Sequence, residues 1–496
     1  MNICIIGAGA SGMMVCTALK SLDFIKKIIL ISSPKIPTIG VGESTTYGFN
    51  YFLKKYANLN DFVKKSDAAV KYGVVYSNWS KNNFIHGPFK HTVFEKHGYT
   101  QKQYFFELMM NRNLQIPYHD LALNGFWNMI QNNKVLLDEN EYGHTWHFNA
   151  AKFISYLKEE CEKSPKVEFV NDTVVDCFFK KTYDNNIVSF VVTSSGKKIE
   201  SDYYVNCSGE NSVNENVFQE KYLNLSDYLL TDKAVIYPLK YKNKRKEFHP
   251  YTAAKTMKCG WRWITPTWSR IGTGYVFSSR HLSIDSAIGE FKKDIGDDKI
   301  NPIVVEFSPK ANKKYFKYNH CTIGMSSGFL EPLDAPGLSA TCSSIEYLIE
   351  ALEKKQKLNS FGVQYSCDIS DYVHQNNLDY LRHIEKCNRE LGYQWWLPFI
   401  LTQYKTCYRN DTKFWKDQKN VVCPEYERIM NMLNSMDDKK WNYYEWEMLF
   451  RTISAKDIPL NFNYLLKQEP FAIDGKTEPS MHHLEYIQQF HDGKIL

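Results

Sequence analysis

The sequence predicts an α/β fold: a β-α-β start, a mixed body and a largely helical C-terminal part. Three observations carry this expectation. Asn2 to Ile6 is a short apolar run of strand character, followed by Gly7-Ala8-Gly9-Ala10-Ser11-Gly12 and then helical spacing through Val15, Leu19 and Leu22. A second strand follows over Ile28 to Ile31. From 346 to 460 apolar and aromatic residues recur at helical spacing, among them Tyr393, Trp395, Trp396, Tyr404, Trp415 and Trp441.

The first element is a Rossmann-like GxGxxG turn in its required setting, strand before and helix after. Gly7 permits the tight turn, Gly9 lets backbone approach a pyrophosphate, and Gly12 lets the helix pack on the strand. The helix N-terminus then faces the phosphates. At the end of the second strand an acidic residue would normally bind ribose hydroxyls, but Ser32-Ser33 stands there. A hydroxyl bonds a ribose less strongly than a carboxylate. Next comes Ile39-Gly40-Val41-Gly42-Glu43-Ser44-Thr45, a flexible turn with polar groups at a helix start. It reads either as a plain capped turn or as a strap lying along a bound flavin.

Composition narrows the class. At 496 residues the chain can bury a sizeable core and has room for two to four domains, and 43% apolar with 23% charged residues is ordinary for a globular protein. The net charge of +6 is mild and Lys26-Lys27 and Lys439-Lys440 are isolated pairs, which argues against nucleic acid as a partner. No apolar run approaches the roughly 20 residues of a membrane span, and Met1 to Ala10 lacks the basic region and cleavage site of a signal peptide. The 12 cysteines form no CxxC pair, so reduced thiols and a cytoplasmic location are expected, with no metal site.

Later segments join the first fifty residues in one pattern: Gly40 to Thr45, then Lys71-Tyr72-Gly73-Val74-Val75-Tyr76-Ser77-Asn78-Trp79, Asn206-Cys207-Ser208-Gly209, and Gly260-Trp261-Arg262-Trp263-Ile264-Thr265-Pro266 with Gly274-Tyr275-Val276-Phe277-Ser278. Phe329-Leu330-Glu331-Pro332-Leu333-Asp334-Ala335-Pro336-Gly337 and Arg409-Asn410-Asp411-Thr412-Lys413-Phe414-Trp415 complete it. In this order the segments resemble the flavin-dependent tryptophan halogenase family, from residue 3 to about residue 420. The resemblance implies a flavin-monooxygenase-like module over 1–345, with part of the substrate pocket inserted around 75–150, and a mainly helical substrate module over 346–496. It implies FAD, used as FADH2 and delivered by a separate flavin reductase. Reduced flavin and oxygen then oxidise a halide to hypohalous acid, which crosses a tunnel to a lysine beside an aromatic substrate. Family members often dimerise, so a homodimer is compatible with it.

Residue by residue, the resemblance assigns flavin contacts to Gly7, Ala8, Gly9, Ala10, Ser11, Gly12, Gly40, Val41, Gly42, Glu43, Ser44, Val174 and Leu338. Lys71 becomes the lysine that holds or reacts with the hypohalous acid; its apolar flanks, Val70 and Tyr72, suit a buried donor with an adjustable pKa. An ordinary lysine in a half-exposed strand is the competing reading of the same residues. Trp261 and Trp263, on one face of a strand, wall off the flavin; two large core aromatics are the alternative. Ile264-Thr265 reverses the family's polar-then-isoleucine order.

The stretch 331–337 departs furthest. Asp334 stands where the family has glutamate, shortening its reach by about 1.5 Å, one C–C bond, and Ala335 replaces a serine. Pro336 and Gly337 occupy the positions whose successive N–H groups cradle chloride, and proline has no N–H. Bromide and iodide, cheaper to dehydrate and easier to oxidise, are therefore expected to be preferred to chloride. On the substrate side, His86 in His86-Gly87-Pro88-Phe89 resembles a pocket segment with one glycine inserted; a satisfied structural histidine is the other reading. Tyr443, Tyr444 and Trp446 match the indole-holding aromatics, while Glu447 and Arg451 fall where an apolar lid belongs. An indole, a phenol or another activated aromatic is the expected substrate. A monooxygenase or oxidase of the same fold is the alternative enzyme, and a flavin- or aromatic-binding protein without turnover the alternative of another class.

Overall fold

The structure is a computed structural model that describes residues 1–36, 43–79, 84–86, 90–91, 129–136, 142–181, 186–210, 216–333, 335–361, 380, 382–387, 411–421 and 480–494. The chain opens with β1 (Asn2–Ile6), α1 (Ala10–Leu19) and β2 (Lys27–Ser32). Then come β3 (Glu43–Ser44), α2 (Gly48–Tyr56), α3 (Leu59–Lys65), β4 (Ala69–Lys71), β5 (Val74–Ser77) and β6 (Phe84–His86). The middle supplies β7 (Thr145–Phe148), α4 (Ala150–Glu162), β8 (Val167–Asn171), β9 (Val174–Lys181), β10 (Asn186–Thr193), β11 (Tyr203–Asn206) and β12 (Lys233–Ile236). It continues with β13 (Thr252–Met257), β14 (Gly260–Pro266), β15 (Ile271–Phe277), α5 (Ile284–Ile295), β16 (Ile303–Glu306), β17 (His320–Thr322), α6 (Pro336–Phe361) and α7 (His483–His491).

Three sheets organise the site. The first is five-stranded in the order β8-β2-β1-β11-β17, and every pair in it is parallel. Such a sheet is buried on both faces, and β1 has the composition for it. Ile3 and Ile5 join the main core with Met13 and Met14 of α1. Cys4 and Ile6 point the other way, into a second cluster with Ile31, Val174 and Phe218. α1 is buried from Gly12 to Leu19 on every side, as a helix laid on a sheet beneath other elements must be. It stops at Leu19, short of the expected Leu22: the Lys20 N–H closes on the Cys16 carbonyl, and the Leu22 N–H bonds the Leu19 carbonyl in a turn.

The second sheet is a small antiparallel one, β3-β7-β4, in which β7 sits between the strap and the strand of Lys71. The third has seven strands, β16-β12-β15-β14-β13-β5-β6, with the tryptophan strand β14 paired on both sides. Among the described residues no helix is long and apolar enough to cross a membrane.

Candidate functional site

The glycine turn is built as a cradle. Gly7 has φ +102°, and a Cβ there would lie 2.3 Å from the Cys207 carbonyl oxygen, so glycine is required on both counts. A Cβ on Gly12 would come within 1.9 Å of the Gly7 carbonyl oxygen, which is how the first turn of α1 lies so close to the loop. Gly9 is the opposite case: among the described residues nothing lies within 4 Å of the Cβ it lacks, so they leave the loop open on that side. Gly9 caps α1 with no side-chain hydrogen bond, leaving the first amides of the helix, beginning with Ala10, directed at that opening. Ala8 and Ser11 are half-buried around it. A pyrophosphate fits this arrangement.

Neighbouring segments frame the cradle. Ser11 Oγ lies 3.3 Å from Thr341 Oγ1 of α6, and Gly324, at φ +72°, leaves the space that the Ser11 hydroxyl occupies. Ser208 donates through its hydroxyl to Asn206 Oδ1 at 2.7 Å, and the Gly209 N–H donates to Ser326 Oγ at 2.9 Å. At the end of β2, Ser33 Oγ pairs with Thr173 Oγ1 at 2.7 Å. That contact places the serine found in the acidic residue's stead next to buried Val174.

The strap enters as β3. Ser44 lies opposite His147 of β7, and Lys71 of β4 lies opposite Thr145 of the same strand. Thr45 is buried; its hydroxyl donates to the Trp146 carbonyl at 2.7 Å and lies 2.6 Å from Thr145 Oγ1. Its carbonyl receives the Lys71 ammonium, Nζ to O 2.6 Å. Lys71 is 0% exposed, which removes the half-exposed strand reading. An ammonium this deep needs hydrogen-bond acceptors in place of water. Thr46 continues the strap to α6 through a hydrogen bond between its hydroxyl and that of Ser339.

His147, which the sequence reading passed over, completes this wall. It is fully buried; Nδ1 lies 3.0 Å from the Pro266 carbonyl and Nε2 2.8 Å from Thr252 Oγ1. Thr252 Oγ1 in turn lies 2.8 Å from Ser44 Oγ. Burial first, and then the Lys71 ammonium, His249 and His483, hold the His147 pKa well below the ordinary histidine value.

Trp261 and Trp263 lie side by side on β14, ring centroids 6.3 Å apart, and both are buried in the main core. Trp263 crosses over Gly274, its register partner on β15; a Cβ there would lie 2.2 Å from Trp263 Cη2. Arg262 points the other way and pairs with Asp294 at 2.6 Å. Thr265 is buried and Ile264 half-buried. At the head of α6, Ala335 takes φ +54° and its N–H bonds the Pro332 carbonyl at 3.0 Å. Pro336 opens the helix, a position where its missing N–H costs the helix nothing. The first N–H donors of α6 therefore belong to exposed Gly337 and half-buried Leu338.

Gly40, Val41, Gly42, Asp334, Tyr443, Tyr444 and Trp446 lie outside the described residues, as do the side chains of Glu43 and His86. Thus the structure brings Lys71 to the strap, whereas the carboxylate expected beside it falls outside. Thr45 is marked in the sequence as the end of the strap, whereas Thr145, His147 and Thr252 are the site residues without a sequence signal. Their partners are distant in the chain, 208 residues apart for Ser44 and Thr252.

A parallel sheet of Rossmann type, with a glycine cradle at the first helix and a polar strap beside it, defines a dinucleotide-binding enzyme module. The family model for tryptophan halogenase matches residues 2–469. The chain belongs to the tryptophan halogenase family, whose members are flavin-dependent oxidoreductases. Tryptophan 7-halogenase RebH of Lentzea aerocolonigenes is 26% identical over 445 residues, 85% of this chain and 79% of that protein. The solved structure of a tryptophan halogenase from Shewanella frigidimarina superimposes with a TM-score of 0.76 at 20% identity, over 99% of this chain and 98% of that one. Tar14, a tryptophan C-6 flavin-dependent halogenase (chlorinase) from taromycin biosynthesis, gives 0.75 at 19% identity, over 99% of each chain. At these identities the two structures speak for the fold.

Proposed function

We propose that the chain is an FADH2- and O2-dependent halogenase that forms hypohalous acid at its flavin and delivers it through Lys71 to an electron-rich aromatic substrate of the indole or phenol class. The observation that carries this reading is the buried Lys71 ammonium on the carbonyl of Thr45, the residue that follows the strap strand. A buried cation is costly to keep, and this one is tied to the segment that the reading assigns to the flavin.

Gly7 to Gly12 would hold the FAD pyrophosphate at α1, Val174 the adenosine end, and Gly40 to Ser44 with Leu338 the ring system. Bound and reduced, FAD supplies with oxygen the oxidation of the halide. Trp261 and Trp263 keep the aromatic substrate away from the flavin. Lys71 holds the hypohalous acid through its N–H groups and orients it toward the substrate. Asp334 is assigned the carboxylate that stabilises the cationic ring and takes its proton. His86, Tyr443, Tyr444 and Trp446 are assigned to the substrate, and a separate flavin reductase to the supply of FADH2. The division at residue 345 falls inside α6, so 1–345 and 346–496 are proposed as functional regions sharing a helix.

Halide is assigned to the head of α6, where Gly337 and Leu338 offer the first amides and Pro336 offers none. Chloride, the most costly of chloride, bromide and iodide to dehydrate, suffers most from a lost donor, so bromide and iodide are preferred. The test is mass spectrometry of an indole and phenol panel incubated with FADH2, oxygen and equal chloride, bromide and iodide. Brominated or iodinated product is expected, and predominant chlorination overturns the halide assignment. An added hydroxyl in place of halogen favours a monooxygenase of the same fold, the alternative that Asp334, Ala335 and Pro336 motivate.

A further inference from the structure

We infer that Ser44 is locked as a hydrogen-bond acceptor by a chain of hydroxyls ending on His147, and that this acceptor favours the reduced over the oxidised form of the flavin. The inference rests on the reading of the strap as a flavin contact.

The direction of every bond in the chain follows from counting hydrogens. The Pro266 carbonyl can only accept, so His147 Nδ1, 3.0 Å away, carries the ring hydrogen. The ring is buried without exposure and beside the Lys71 ammonium, a setting that excludes a second proton. Nε2 is then a bare lone pair, and Thr252 Oγ1, at 2.8 Å, must donate to it. A hydroxyl has one hydrogen, so that of Thr252 is spent. The contact between Ser44 Oγ and Thr252 Oγ1, also 2.8 Å, requires Ser44 to be the donor. Ser44 is left with lone pairs alone for anything on its other side. It is half-buried, not enclosed, and β3 holds it in register with His147.

Reduced isoalloxazine carries ring N–H groups where the oxidised ring presents bare nitrogen. A fixed acceptor bonds the first and opposes the second.

The test uses the full chain titrated with FAD in air and with FADH2 under anaerobic conditions, reading the ratio of the two dissociation constants. Wild type binds FADH2 more tightly. Ser44→Ala lowers the preference by about five-fold, the equilibrium value of one neutral hydrogen bond. Thr252→Val keeps the Ser44 hydroxyl but frees its hydrogen to turn toward the ligand. It lowers the preference mainly by tightening oxidised FAD, a change that mere loosening of the strap cannot produce. If both variants bind flavin with the wild-type ratio, the inference is wrong and the flavin reading stands. If wild type binds neither form, the flavin reading fails and the inference with it.

Discussion

Two buried histidines should make this protein acid-sensitive just below neutral pH, and the site is where the sensitivity enters. His483 of α7 stacks on Phe248, donates from Nδ1 to the Phe248 carbonyl at 3.1 Å, and accepts the Val70 N–H on Nε2 at 3.0 Å. Protonating Nε2 would set two hydrogens against each other beside Lys71. Burial, the largest cause, pulls the pKa of His483 down to about 3, and that of His147 lies well below the ordinary value for the same leading reason. Both folded values are depressed, so the unfolded chain binds protons first, starting at its own pKa of about 6.5. The stabilisation is complete above that pH and is lost as pH falls from it toward the folded values. Each histidine costs on the order of 1 kcal/mol between roughly pH 7.5 and 5.5, and the pair about twice that, because only the unfolded chain takes up the protons there. That is a substantial fraction of a total stability of about 5–15 kcal/mol. Urea unfolding of wild type and of His147→Phe and His483→Gln at both pH values reads it. Each variant is less stable than wild type at the higher pH, and its deficit narrows by on the order of 1 kcal/mol at the lower. A deficit independent of pH in both variants would refute the reasoning.

Other substitutions probe the cradle and the aromatic wall. Gly12→Ala puts a methyl 1.9 Å from the Gly7 carbonyl oxygen; FAD affinity should fall by about ten-fold or more, with about 1–3 kcal/mol of stability lost to overpacking. Isothermal titration and thermal melts check this, and unchanged affinity would exclude the loop as the FAD site. Gly274→Ala drives a Cβ into Trp263. FAD should still bind, but the wall opens, and product analysis should show oxygenated aromatic or free peroxide rising at the expense of halogenated product. An unchanged product distribution would remove Trp263 from the barrier.

Much of the fold was legible because its signals are local. The strand Asn2–Ile6, the glycine turn and the strand at Lys27–Ser32 are set by neighbours within a few residues, where strand alternation and the packing limits of glycine act directly. The Trp261 and Trp263 pair was legible for the same reason, since alternate residues of a strand share a face. Lys71 stayed open between surface and interior because its burial depends on β7, whose Thr145 lies opposite it in the sheet. Ser44 was marked as part of the strap, but its link through Thr252 to His147 had no signal: serine, threonine and histidine are common, and only the sheets bring them to hydrogen-bonding distance. The early end of α1 was hidden differently, because Leu22 keeps the apolar spacing while packing from a turn.

Lys71→Ala tests the central claim most directly. The variant, supplied with FADH2, oxygen, bromide and the best aromatic of the panel, is assayed for product, for released oxidant and for FAD binding. Halogenated product should vanish while FAD still binds and oxidant release continues, because the pyrophosphate cradle at Gly7 to Gly12 does not depend on the lysine. Halogenation at the wild-type rate would contradict the account.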